Sequence, residues 1–246
     1  MALAPYALGG FILLAYTLEA VTGFGSVVIA LSLGALLLPI DQLLPILVPL
    51  NICMTGYLVH RHWQQIDRRL LLGTLLPGML IGTLLGYWLL PYLDTQVLKV
   101  GFGALIVWFA GRELWRLRRA SALPQRPAWL TRVITLAAGL SHGLFASGGP
   151  LLVYGLAGTQ LDKARLRATL VTVWFTLNSL LTLAFLLDGR LLPALPQVLI
   201  YAPLLLLGVW LGERLHRRFD ERHFRLAIYI LLLVTGILLL APWRLP

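Results

Sequence analysis

Apolar residues run along this chain in long blocks separated by short polar stretches rich in arginine. Six blocks have about the twenty residues that a hydrocarbon core ~30 Å thick requires of a spanning helix. They run from Leu43 to Val59, Leu70 to Leu90, Gln96 to Leu114, Leu170 to Leu187, Ala194 to Leu215 and Phe224 to Leu240. Two further apolar regions, Tyr6 to Leu38 and Leu130 to Gly158, are interrupted near the middle by glycine and small polar residues. The interruptions read Thr22-Gly23-Phe24-Gly25-Ser26 and Ser147-Gly148-Gly149-Pro150. Each region is either a pair of short helical arms that enters and leaves on one side, or a crossing helix followed by another element.

The placement of positive charge separates these alternatives. With both regions re-entrant, all but Lys99, Arg190 and Arg244 of the 20 lysines and arginines fall on the cytoplasmic side, as the positive-inside rule demands. If the second region simply spans, the loops around Lys163 and Arg217 turn outward and the bias nearly vanishes. Re-entrant hairpins are therefore expected.

The chain also repeats itself. Setting Pro77 against Pro203 aligns Gly82 with Gly208, Gly86 with Gly212, Asp94 with Asp220 and Lys99 with Arg225 without a gap. A one-residue shift pairs Thr22-Gly23 with Ser147-Gly148, and the opposite shift pairs Leu50-Asn51 with Leu177-Asn178. Residues 1–120 and 121–246 thus share one plan, a broken hairpin followed by three transmembrane helices. Three is odd, so the second half enters from the opposite face. The expected fold is an all-α integral membrane protein of two inverted repeats, with both termini on the non-cytoplasmic side of a bacterial inner membrane.

Composition agrees with this pattern. Of 246 residues, 59% are hydrophobic and 12% charged, more apolar surface than a soluble core of this size can bury. The net charge of +10 sits in short clusters between apolar blocks, so it reads as cytoplasmic loops and not as a nucleic-acid surface. Met1 to Leu13 lacks the basic start and small-residue cleavage site of a secretory signal and is expected to remain. Cys53 is the sole cysteine, which excludes an internal disulfide and a cysteine-based metal cluster. There is no P-loop, metal-ligand cluster or nucleophile triad, so neither an ATP-driven pump nor an enzyme is expected, and no cofactor.

Irregular backbone at membrane depth is costly unless protein, water or ligand satisfies it, so the two breaks point to a lined cavity. The helix that starts after each break offers free N–H groups and a partial positive charge suited to an anion. Thr22, Gly23, Phe24, Gly25 and Ser26 at the first break, and Ser147, Gly148, Gly149 and Pro150 at the second, are candidate substrate-binding residues. The competing account of the glycines is close helix packing. Asn51 and Asn178, in the middle of matching helices, are candidates for the same cavity, with hydroxyls of Thr55, Thr172 and Thr176 nearby; interhelical hydrogen bonding is the competing account.

Glu19, one turn before the first break, and His142, near the second, are the candidate carriers of a coupling proton. A structural hydrogen bond competes for His142. No lysine or arginine lies at mid-membrane, so helix ends, hydroxyls and amides would have to meet a substrate charge.

The segments Glu-Ala-Val-Thr-Gly-Phe-Gly-Ser, ending at Ser26, and Phe-Ala-Ser-Gly-Gly-Pro, ending at Pro150, together with the two-half plan, resemble the TauE/SafE sulfite exporter family, also called the toluene sulfonate uptake permeases. The resemblance covers nearly the whole chain and places the family's glycine motifs on Gly23, Gly25, Gly148 and Gly149. It implies a permease for sulfite, sulfoacetate or a related organosulfonate or organic acid, driven by an ion gradient. Alternating access coupled to an ion, in first place the proton, is the expected mechanism, with an uncoupled anion channel as the alternative. The expected partners are the small anion, the coupling ion and lipid; a homo-oligomer is compatible with the sequence.

Overall fold

The computed structural model describes residues 4–22, 25–118, 127–156, 162–216 and 221–241, and every regular element among them is helical. In chain order they are α1 (Ala4–Thr22), α2 (Ser26–Gly34), α3 (Ile40–His62), α4 (Arg68–Leu70), α5 (Leu76–Leu89), α6 (Thr95–Arg118), α7 (Ala128–Phe145), α8 (Gly149–Gly155), α9 (Lys163–Leu187), α10 (Leu191–His216) and α11 (Glu221–Leu240). A π-helical stretch, Leu71–Leu75, joins α4 to α5. The boundary between the two sequence halves, and Gly23 and Phe24, lie outside the described residues.

Four stretches are long and apolar enough to cross a membrane: Ile40–Gln65, Arg68–Tyr92, Ala164–Leu187 and Leu191–Gly212. They coincide with four of the six expected spans. The fifth, on α6, mixes Lys99, Arg112, Glu113 and Arg116 into its apolar run, and the sixth is described as a shorter apolar helix, Leu226–Leu240. Leu199, Ile200 and Leu206 on α10 are 65%, 68% and 77% exposed. Exposed aliphatic side chains packed this densely on one helix suit lipid and not water.

Both interrupted regions fold back on themselves, with unequal arms. The backbone of Ser26 lies beside Glu19, and Gly34, at the far end of α2, comes so near Leu8 that a methyl group there would sit 3.4 Å from Leu8 Cδ1. The chain therefore returns antiparallel along α1. In the second region a methyl on Gly148 would meet the Ala138 carbonyl at 2.4 Å, and one on Gly155 would meet Ile134 at 2.8 Å, so α8 runs back along α7. The 9 residues of α2 and the 7 of α8 rise ~10–14 Å at 1.5 Å per residue, far short of a crossing. Each second arm ends at a glycine, Gly34 or Gly155.

The helices form two compact units, each drawing on both halves of the sequence. One contains residues 1–43, 93–121 and 203–246. Within it α2 lies against α1 and α11, and α6 against α11. Gly103 allows the last contact, since a methyl there would stand 3.1 Å from the Gly236 carbonyl. Gly208 on α10 does the same for α1, 3.0 Å from Tyr16 Cβ.

The other unit contains residues 44–92 and 122–202, and its closest seam is between α5 and α7. Methyl groups on Gly82, Gly86, Gly139 and Gly143 would all fall 2.2–2.5 Å from a backbone oxygen of the facing helix. This is the small-residue packing of membrane helices, where close backbone approach replaces the hydrophobic effect as the adhesive. Thr83 Oγ1 adds a hydrogen bond to the Gly139 carbonyl at 3.3 Å. Beside the seam, Leu71, Leu75, Met79, Ala138, Leu152, Val173 and Leu177 form an apolar cluster that carries α8 and α9.

Candidate functional site

The second break is built from the end of α7. The helix closes at Ala146, whose left-handed φ of 49° is the only positive φ among the described non-glycine residues. The turn is held by the Ala146 N–H, which donates to the His142 carbonyl at 2.7 Å, and by Ser141 Oγ, which donates to the Ser147 carbonyl at 3.1 Å. Gly148 has an ordinary φ of −76°; its requirement for glycine comes from contact with Ala138. Pro150 is in the first turn of α8, where its missing N–H costs no helical bond.

This turn brings three polar side chains into an apolar surround. His142 and Ser147 are each 1% exposed, and so is Asn178 on α9. Among the described residues, both ring nitrogens of His142, Ser147 Oγ and Asn178 Oδ1 have no hydrogen-bond partner. The Asn178 side chain stands within hydrogen-bonding reach of the His142 ring, at a geometry too poor to count as a closed bond. The Asn178 amide is oriented from its other end, where Nδ2 donates to Asn51 Oδ1 on α3 at 2.7 Å. Trp174, one turn before Asn178 on α9, stacks on the His142 ring with centroids 5.6 Å apart and planes inclined by 22°. Its Cζ2 also stands 3.6 Å from where a methyl on Gly149 would be.

A buried polar atom without a partner costs about 1–3 kcal/mol, and native interiors hold few of them. Four such atoms on three residues around one break form a polar socket in want of a guest.

The first break is arranged differently. Gly25 has φ 100°, a conformation that side chains oppose, and a methyl there would meet nothing within 4 Å. The glycine is needed for its backbone and not for space. The N–H of Ser26, first residue of α2, donates to Glu19 Oε2 at 3.3 Å, and both residues are buried. The helix N-terminus expected to receive an anion thus already holds a carboxylate of the chain. The side chain of Thr22 falls outside the description.

The threonines expected near the cavity bond to their own helices. Thr55 Oγ1 donates to the Asn51 carbonyl at 2.8 Å, Thr172 to Ala168 at 2.9 Å and Thr176 to Thr172 at 2.9 Å. Such back-bonding satisfies a hydroxyl in an apolar setting without a guest. Trp174 and Ser141 were not singled out by the sequence. Trp174 could have been, because its i, i+4 spacing from Asn178 puts the two on one helix face; Ser141 carries no such signal.

At the edge of the same unit, the Tyr87 hydroxyl donates to Asp188 Oδ2, and Arg190 Nη2 donates to Tyr87 at 2.8 Å and to Asp188 at 2.7 Å. The guanidinium also lies over the rings of Tyr87 and Phe185 at 5.2 and 5.3 Å. Partial burial pushes the Asp188 carboxyl up, but the bonds from Arg190 and Tyr87 outweigh it and hold the carboxyl below its ordinary range. One of the three basic residues expected outside is thereby neutralised locally.

The sequence is similar to known membrane transporters. The description "Sulfite exporter TauE/SafE" matches residues 8–239. The chain is 29% identical over 176 residues to a Comamonas testosteroni protein named "Probable inner membrane transporter protein TsaS", covering 70% of this chain and 73% of that one. It is 24% identical over 231 residues to a Cupriavidus necator protein named "Probable sulfite/organosulfonate exporter TauE", covering 91% and 89%. No solved structure matches. With all but its ends matched by the family description and its apolar helices suited to a bilayer, the chain belongs to the sulfite exporter TauE/SafE family, a family of multi-pass membrane transporters and not of enzymes.

Proposed function

We propose that the protein is a secondary transporter of a small anion, sulfite, sulfoacetate or a related organosulfonate or organic acid, which it binds at the second break. The observation that carries this reading is the socket of His142, Ser147 and Asn178, whose buried polar atoms lack partners among the described residues. The name of the Cupriavidus relative supplies the sulfur-oxoanion class. The Ser147 hydroxyl and a ring N–H of His142 suit oxygens that only accept.

Alternating access between inverted repeats is the mechanism we favour. It draws support from two pairs of residues that the internal alignment equates and from the plan of the hairpins. Gly82 of the first half packs on α7, while its counterpart Gly208 packs on α1. The two hairpins have the same antiparallel plan. Asn51 and Asn178, counterparts of each other, are hydrogen-bonded partners. A two-fold relation between halves of opposite orientation gives these pairings. In this reading the hairpins are re-entrant, the arginine-rich loops are cytoplasmic and both termini face away from the cytoplasm of a bacterial inner membrane.

Flux of sulfite and of sulfoacetate into proteoliposomes tests the site. Ser147→Ala combined with Asn178→Ala should reduce flux at least tenfold while the protein still reconstitutes. Undiminished flux in the double variant sinks the assignment. Flux that stays strictly downhill under an imposed pH gradient would make the protein a channel. Cysteine labelling at positions 119 and 163, in a Cys53→Ser background, should report one side of the membrane; opposite sides would refute re-entrance.

A further inference from the structure

The unpartnered atoms at the second break do not make a set that an anion alone completes, and this deepens the reading above, on which it rests. Asn178 Oδ1 can only accept, and so can the oxygens of an ionised sulfonate. Ser147 Oγ gives one proton, and a neutral imidazole gives one and leaves its other nitrogen as an acceptor. With His142 neutral, its single N–H serves either Asn178 Oδ1 or the anion, and in both cases at least one bare acceptor is left in the socket with the bound anion. An imidazolium reverses the balance. Both ring nitrogens then donate, one toward Asn178 Oδ1, within whose reach the ring already lies, and one toward an anion oxygen. Ser147 Oγ supplies a further bond to the anion.

Charge points the same way. An ion taken out of water alone costs several kcal/mol, and a buried ion persists only with a partner. Among the described residues, the carboxylates of the helices around the ring lie at the helix ends. Asp41 opens α3, and Asp162 and Asp188 flank α9. Asp67 caps α4, accepting from the Leu70 N–H, and the remaining charged or titratable groups on these elements are also placed. Tyr87 on α5 is held by Asp188 and Arg190. Tyr154 lies on α8 and Arg132 in the first turns of α7, while Cys53, Tyr57, His60, Arg61 and His62 are on the outer part of α3, Arg68 and Arg69 form α4, and Lys163, Arg165 and Arg167 begin α9. Arg167 is two turns before Trp174. Among the described residues no other counter-ion is left for a protonated His142, so the guest supplies it. Trp174, stacked on the ring, offers its π face to the same cation.

We infer that the socket takes its anion together with one proton, carried on His142, so that the pair enters the buried site without net charge. The proton comes from the water on the side where the anion loads and returns to water where the anion leaves; no covalent bond to the substrate forms. Glu19 lies elsewhere, at the first break, where its Oε2 accepts from the Ser26 N–H.

Isothermal titration of the purified full-length protein with methanesulfonate, which stays ionised across the neutral range, tests this when run in two buffers of different ionisation enthalpy. Wild type should take up about one proton per anion, and on the alkaline side its Kd should weaken about tenfold per pH unit, as one-proton linkage requires. His142→Gln should bind without proton uptake and without the pH slope, and Glu19→Gln should retain both. Binding without proton uptake in wild type, a slope that survives His142→Gln, or a slope lost in Glu19→Gln overturns the inference and leaves the anion site standing. Absence of methanesulfonate binding at every pH overturns the anion site and the inference with it. Independently of any variant, NMR of ¹⁵N-histidine-labelled wild type should show one ring become doubly protonated as methanesulfonate is added; rings that all keep their protonation state overturn the inference.

Discussion

At the first break the chain turns on Gly25, with φ 100° and open space around its Cα, and the new helix is met by the carboxylate of Glu19. At the second the left-handed residue is Ala146, glycine sits instead where Gly148 presses on the Ala138 carbonyl, and the His142 ring nitrogens, Ser147 Oγ and Asn178 Oδ1 are left open among the described residues. The two share an antiparallel plan and differ in what satisfies them. A break that satisfies itself is suited to a structural role. One that leaves buried donors and acceptors open, with its turn held in a conformation that costs a non-glycine residue about 1–2 kcal/mol, is suited to a ligand. The duplicated motif thus corresponds to one candidate site in the described residues, not two.

The contrast can be broken most sharply at the glycines. Gly148→Ala places a methyl 2.4 Å from a backbone oxygen, so α8 must lift off α7; we expect a loss of about 1–3 kcal/mol and loss of anion binding. Gly25→Ala has room and suffers only from its φ, at about 1–2 kcal/mol. Gly25→Asn should recover part of that because asparagine tolerates left-handed backbone, whereas Gly148→Asn should recover nothing. Thermal unfolding in detergent, read beside methanesulfonate binding, compares the four. Equal rescue at both positions would erase the distinction drawn between them.

The serines sharpen it next. Ser147→Ala removes a buried hydroxyl without a partner, so stability should hold or rise slightly while anion affinity falls about tenfold, or ~1.4 kcal/mol. Ser26→Ala leaves the backbone N–H that bonds Glu19 untouched and should not alter affinity. A drop in melting temperature for Ser147→Ala with unchanged affinity would mean that the hydroxyl is structural.

The smallest effect is expected at Ala146. Replacement by glycine relieves the strain of φ 49° but adds freedom to the unfolded chain, for a net gain of less than about 1 kcal/mol. A chemical-denaturation midpoint that moves down instead would show that the Cβ of Ala146 is needed in the turn.

Many residues of the candidate site are conspicuous in the sequence alone. Glycine and proline interrupting an apolar run, and a carboxylate, imidazole or amide inside one, are conspicuous because each is costly in hydrocarbon. What could not be read was where each polar group spends its hydrogen bonds. Thr55, Thr172 and Thr176 looked like Asn178 in the sequence, yet they bond to carbonyls of their own helices. A threonine hydroxyl is short enough to fold back four residues, whereas the asparagine amide projects outward.

The sequence by itself determined membrane residence, the number and place of the apolar runs, the two breaks and the polar residues near them. All follow from spacing and from the cost of polar groups in lipid, which are properties of the chain taken one segment at a time. Only the tertiary structure decided that the hairpin arms are unequal, that Glu19 closes the first break, and that His142, Ser147, Trp174 and Asn178 meet at the second. Those outcomes depend on which helix lies alongside which. That choice is made by close contacts between backbones at glycines such as Gly139, Gly143 and Gly148, whose partners are many residues away in the chain.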